Sequence, residues 1–165
     1  MAMKEKYPLE QLVRIKQRRL EEAERVLKEK KETLKKEEDK QKTLEEERDK
    51  TLRHKQDKLS QLRETLDKGT TSDKIETMRD YIKVVDEELA QKEKKVEEQI
   101  KKVEEAKEAV EVARKDMVKK QQDVEKLKMH RKEWDKEMRA QEIHQEGIET
   151  DELGTAMHTS KKRKK

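Results

Sequence analysis

The chain has no cysteine and no phenylalanine, one proline, three glycines and one tryptophan. Without cysteine there is no disulfide framework and no thiol chemistry. With 28% hydrophobic and 2% aromatic residues in 165 positions, there is too little apolar surface for a globular core. No glycine-rich phosphate loop is present, which excludes a P-loop nucleotide hydrolase. No apolar run approaches the length of a membrane span or of a signal-peptide core, so the sequence predicts a cytosolic protein.

What the chain has instead is charge and periodicity. Charged residues make up 52% of it, and the net charge is +4. Five basic residues, Lys161–Lys165, close the sequence, and subtracting them leaves −1. The body is therefore near neutral, and the basic balance belongs to the tail. Such a composition ordinarily reads as disorder. A strict seven-residue ladder argues otherwise: Ile75, Ile82, Leu89, Val96, Val103, Val110, Met117 and Val124, interrupted at Arg131 and resumed at Met138. A residue repeated every seven positions stays on one side of a helix only when that helix supercoils around a partner.

The stretch Asp67-Lys-Gly-Thr-Thr-Ser-Asp73 is poor in helix formers and lies near the middle of the chain. It reads as a hairpin turn at 68–72, against the alternative of a kink in one continuous helix. Asp73 is placed to cap the following helix, with Glu76 completing a capping box. The expected architecture is all-α: a long antiparallel coiled-coil hairpin with helices at 8–67 and 73–145. The first helix begins at Pro8 and Gly147 ends the second. Residues 146–165 lack a seam and read as a flexible, disordered tail with a basic end.

The first seam reads Leu9, Val13, Leu20, Ala23, Leu27, Leu34 and Leu44, then Leu52, Leu59, Leu62 and Leu66. Folding the chain so that facing numbers add to about 140 sets Leu27 on Ala113, Leu34 on Ala106 and Ala23 on Met117. Large residues then meet small ones, as close packing requires. Leu44 faces Val96 and Val13 faces Leu127 in the same register. Near the turn a total of about 144 fits better, pairing Leu66 with Met78, Leu62 with Ile82 and Leu59 with Val85. The change coincides with a four-residue stutter between Gln41 and Leu52, which predicts local unwinding or a bulge there. Lys92, Gln99 and Lys120 interrupt the second seam, weakening it while fixing its register.

Chemistry is sparse. His54, His130, His144 and His158 do not stand at ligand spacing with one another. Carboxylates on solvated helix faces have no enclosed site to perturb their acidity. The chain is expected to be neither an enzyme nor a cofactor or metal binder. Two features stand out. Trp134 falls on the seam and either packs against the first helix near Leu9 and Leu12 or serves as an exposed anchor for a partner. Residues 1–20 carry a net +4 and 126–139 a net +3. Antiparallel folding brings these segments to one end, where they suit an acidic surface.

Three segments, in this order, resemble one family. They are Tyr-Pro-Leu-Glu-Gln-Leu-Val-Arg-Ile-Lys (7–16) with Arg18, Arg19, Ala23 and Val26; Gly69-Thr-Thr-Ser-Asp73 with Tyr-Ile-Lys-Val-Val (81–85); and His130-Arg-Lys-Glu-Trp134. Over about residues 7–145 the chain is similar to the YscO/FliJ family of type III secretion central-stalk proteins, most closely its chlamydial CdsO-like branch. The resemblance implies a hairpin whose terminal end enters the pore of the secretion ATPase hexamer and whose turn end faces an export-gate protein. This places the protein in the bacterial cytoplasm at the inner face of the membrane, with no membrane insertion and no nucleic-acid ligand. It further implies secretion chaperones or a needle-length regulator as partners and a monomeric hairpin in isolation. Carried over, Leu9, Leu12, Arg14, Arg18, Arg19, Arg131 and Trp134 form the ATPase-facing tip, and Gly69, Thr70, Thr71, Ser72 and Asp73 the gate-facing turn. The Lys161–Lys165 tail departs from the family pattern. Two other readings compete: a parallel filament or scaffold dimer without a turn, and a nucleic-acid-associated coiled coil read from the tail.

Overall fold

A computed structural model describes residues 6–163. The fold is all-α and consists of two long helices, α1 (Glu10–Lys68) and α2 (Ser72–Arg163), packed antiparallel as a coiled-coil hairpin. By contact density the chain divides into two compact units. The turn unit is Glu24–Asp116, and the terminal unit is Met1–Ala23 with Met117–Lys165.

In the turn unit the α2 ladder is the core: Ile82, Leu89, Val96, Val103 and Val110 are buried, together with Val85 and Ala113 on the neighbouring row. Leu27, which the pairing sets on Ala113, is buried as well. The turn itself is three residues, 69–71. Gly69 has φ = 79°, a left-handed conformation that costs a side-chain-bearing residue energy. Its N–H donates to the Leu66 carbonyl at 3.3 Å, satisfying one of the last carbonyls of α1. The first bond of α2 runs from Ile75 N–H to the Thr71 carbonyl. Asp73 therefore sits inside the first turn rather than at the cap, where its charge complements the helix dipole.

The stutter is absent. α1 is regular α-helix through Gln41–Leu52, with no bulge or tighter turn. The reason lies in the side chains that carry the seam. Thr51 is buried at 7% exposure, whereas its neighbour Leu52 is exposed at 38%. The seam thus continues at unbroken heptad spacing through Gln41, Leu44, Arg48, Thr51 and Lys55, and several of its positions are polar. Polar contacts fill it. Lys92 Nζ donates to Thr51 Oγ1 at 2.6 Å and pairs with Glu88 at 3.3 Å. Lys55 pairs with Asp86. Gln99, 2% exposed, donates to the Glu37 carbonyl at 2.9 Å and to its carboxylate. These contacts pair residue numbers that add to about 140, within four either way.

In the terminal unit Val13, Ala23 and Val124 are buried, and Lys16 reaches Asp123 at 3.7 Å. Helix α1 starts at Glu10, two residues after Pro8. Gly147 does not end α2, which continues to Arg163. Neither Gly147 nor Gly154 takes a positive φ, so no left-handed cap forms. The hydroxyls of Thr150, Thr155 and Thr159 donate to carbonyls one turn back, as solvated helical threonines do. Beyond Met138 the helix carries no seam, in keeping with a tail outside the hairpin: every residue from Arg139 to Lys161 is exposed. Lys164 and Lys165 of the basic run lie outside the described residues, as does Lys4. No helix among the described residues is long and apolar enough to cross a membrane.

Candidate docking site

The terminal unit holds an aromatic cluster that begins one residue before Pro8. Glu10 N–H donates to the Tyr7 carbonyl at 3.2 Å, closing a turn with Pro8 at its second position. The fixed φ of proline suits that place. The turn brings Tyr7 back onto α2, where it is 4% exposed. Its ring meets Trp134 edge-on with centroids 5.4 Å apart, a favoured aromatic geometry. It also lies 5.8 Å from the His130 ring, and its hydroxyl bonds His130 Nδ1.

Arg131, the interruption in the ladder, joins the cluster. Its guanidinium lies 5.8 Å from the Tyr7 ring centroid, and Nη1 bonds Glu10 Oε2 at 2.9 Å. Both partners are more than a third exposed, so the ion pair contributes at most about 1 kcal/mol. A seven-residue ladder thus breaks where a cation must reach the chain entering α1. Beside the cluster lies an open groove of about 570 Å³ bounded by Lys6, Arg14, Trp134, Met138 and Arg139.

The tip residues expected from the sequence divide into two sets. Leu9 and Trp134 are half-buried, and Arg131 and Arg14 border the groove. Leu12, Arg18 and Arg19 are exposed on α1 and do not line the groove. Trp134 packs, as one of the two readings held, but its ring partner is Tyr7. Sequence reasoning placed Tyr7 in a motif without giving it a role. The signal available was an aromatic directly before the only proline in a chain with 2% aromatic residues.

At the other candidate end, Gly69, Thr71, Ser72 and Asp73 are exposed and Thr70 is half-buried. A shallow hollow of about 640 Å³ lies there, lined by Lys68, Thr70, Asp73 and Met78 among others. Nearby, His54 Nε2 lies 2.9 Å from the Tyr81 hydroxyl, and Lys58 Nζ stands 5.4 Å from the Tyr81 ring centroid. Among the described residues no cluster of histidines and carboxylates is arranged to hold a metal ion.

Fold and site together define an all-α hairpin: two antiparallel helices presenting an aromatic and cationic cluster where the chain enters α1. The chain belongs to the YscO-like protein family, whose pattern matches residues 4–164. That family consists of components associated with type III secretion and is not known as a family of enzymes. The solved structure of CT670, a YscO homologue from Chlamydia trachomatis, is 42% identical, covers 98% of this chain and 99% of its own, and superposes with a TM-score of 0.91. No curated protein matches the chain.

Proposed function

We propose that this protein is the central stalk of a bacterial type III secretion system, docking through its terminal unit on the secretion ATPase hexamer and through its turn on an export-gate protein. The observation that carries the reading is the built cluster of Tyr7, His130, Arg131 and Trp134, flanked by basic α1 residues, in a protein of this family. A cationic, aromatic surface recognises an acidic one and positions it before short-range packing takes over. The stalk acts without catalysing a reaction: whichever ring state binds it more tightly gains population, which couples the ATPase cycle to the gate. The protein acts in the cytoplasm beneath the inner membrane, and released secretion chaperones or a needle-length regulator are further partners on this reading.

The test is charge reversal of Arg14, Arg18 and Arg19 together. These residues make no ion pair among the described residues, so their reversal should leave the fold intact. The expected result is loss of ATPase co-purification and of secretion, with unchanged helical circular dichroism. Retention of both binding and secretion would refute the docking role of the basic tip.

A further inference from the structure

The groove beside Tyr7 has a composition that selects its ligand. Its apolar surface comes from Trp134 and Met138, both half-buried. Its cations are Lys6, Arg14, Arg131 and Arg139. Arg131 is neutralised by Glu10. The other three have no carboxylate partner among the described residues. Asp135 and Glu142 also border the groove, so negative charge is interleaved with positive. Two of the N–H groups that a helix start can offer to phosphate are withdrawn here. Pro8 has no N–H, and the N–H of Glu10 is bonded to the Tyr7 carbonyl. A compact polyanion such as a nucleotide triphosphate would meet the carboxylates at close range. An extended peptide can instead set its acidic side chains on the arginines and its apolar side chain on Trp134. A volume of about 570 Å³ lies within the general range of about 300–1,000 Å³ for ligand sites.

We propose that this groove is a binding site for a short acidic peptide segment carrying an apolar anchor residue, with Arg14 and Arg139 pairing its carboxylates and Trp134 with Met138 receiving the anchor. The inference deepens the docking role proposed above and rests on it: the segment would belong to the partner of the terminal unit. Arg139 is the diagnostic residue. It lies one position past Met138 on α2, outside the basic α1 residues whose reversal tests the stalk reading.

The experiment uses the full chain and a blocked synthetic peptide of alternating Glu and Leu, with the emission of Trp134, the only tryptophan, as the readout. Saturable binding is expected from this peptide and none from the corresponding Lys and Leu peptide. The variant Arg139→Glu should weaken binding about tenfold or more, because one charge pair in a partly desolvated groove is replaced by a like-charge repulsion. Arg139→Lys should retain most of it. Circular dichroism of each variant guards against loss of structure. Equal binding by the two peptides, an unchanged affinity in Arg139→Glu, or tighter saturable binding by ATP would overturn the proposal. A wild-type chain that captures the secretion ATPase but not the acidic peptide would refute this site and leave the stalk reading standing.

Discussion

At the residue scale, the seam of this hairpin is mixed. Leu89 and Val96 are buried aliphatics of the ladder, yet between them Lys92 reaches across to Thr51 and further along Gln99 holds Glu37. The aliphatic positions stabilise and the polar ones fix which residue faces which, because a slipped register strands the buried Gln99 amide without its partner. Truncating Leu89 to alanine should therefore cost about 2 kcal/mol, the low end for a buried leucine because a two-helix seam relaxes around a cavity more easily than a globular core. Urea unfolding followed by circular dichroism would check it. A cost below about 0.5 kcal/mol would mean that the ladder position is not packed. The α2 ladder was legible from sequence because its positions are aliphatic at strict spacing. The α1 seam between Gln41 and Lys58 was not, because Thr51 and Lys55 carry it while the more conspicuous Leu52 lies beside it, exposed.

At the scale of the elements, the two helices are set apart by three residues, and one of them fixes the geometry. Gly69 is left-handed at φ = 79°, and a Cβ added there would meet nothing within 4 Å. The substitution Gly69→Ala thus isolates the backbone cost, about 1 kcal/mol for an L-residue in this region. The expected outcome is a lowered urea midpoint with an unchanged denaturant slope. No change in midpoint would show that the turn is not held in this conformation in solution. The turn could be read from Gly69 and its helix-poor surroundings. The end of α2 could not be read from Gly147, because a glycine stops a helix only when the chain leaves in the left-handed region or packing draws it away. Neither happens here, and the exposed segment beyond Arg139 continues as helix. Tyr7 was the other blind spot. It precedes its helix, where heptad arithmetic says nothing, and Pro8 delivers it to the cluster.

At the scale of the whole molecule, the question is whether the partner of the ladder is the chain itself. Within the terminal unit, Lys16 pairs with Asp123, Glu10 with Arg131 and Tyr7 with Trp134, contacts available to one chain folded on itself. Spin labels at Leu20 and Lys120 should then give a short distance that does not change on dilution with unlabelled protein. A distance signal lost on that dilution would favour the filament dimer. The family relationship supplied what no residue pattern could: an association with type III secretion. The orientation proposed for it is what the family resemblance implies, and the aromatic and cationic cluster at the terminal end supports it.

That orientation can be read directly by site-specific photo-crosslinking in secreting cells, with the crosslinker at Gln11 of α1 or at Thr71 of the turn, both exposed. The account predicts that Gln11 captures the secretion ATPase and Thr71 an export-gate protein. Capture of the ATPase from Thr71 and not from Gln11, or of neither protein from either position, would contradict it.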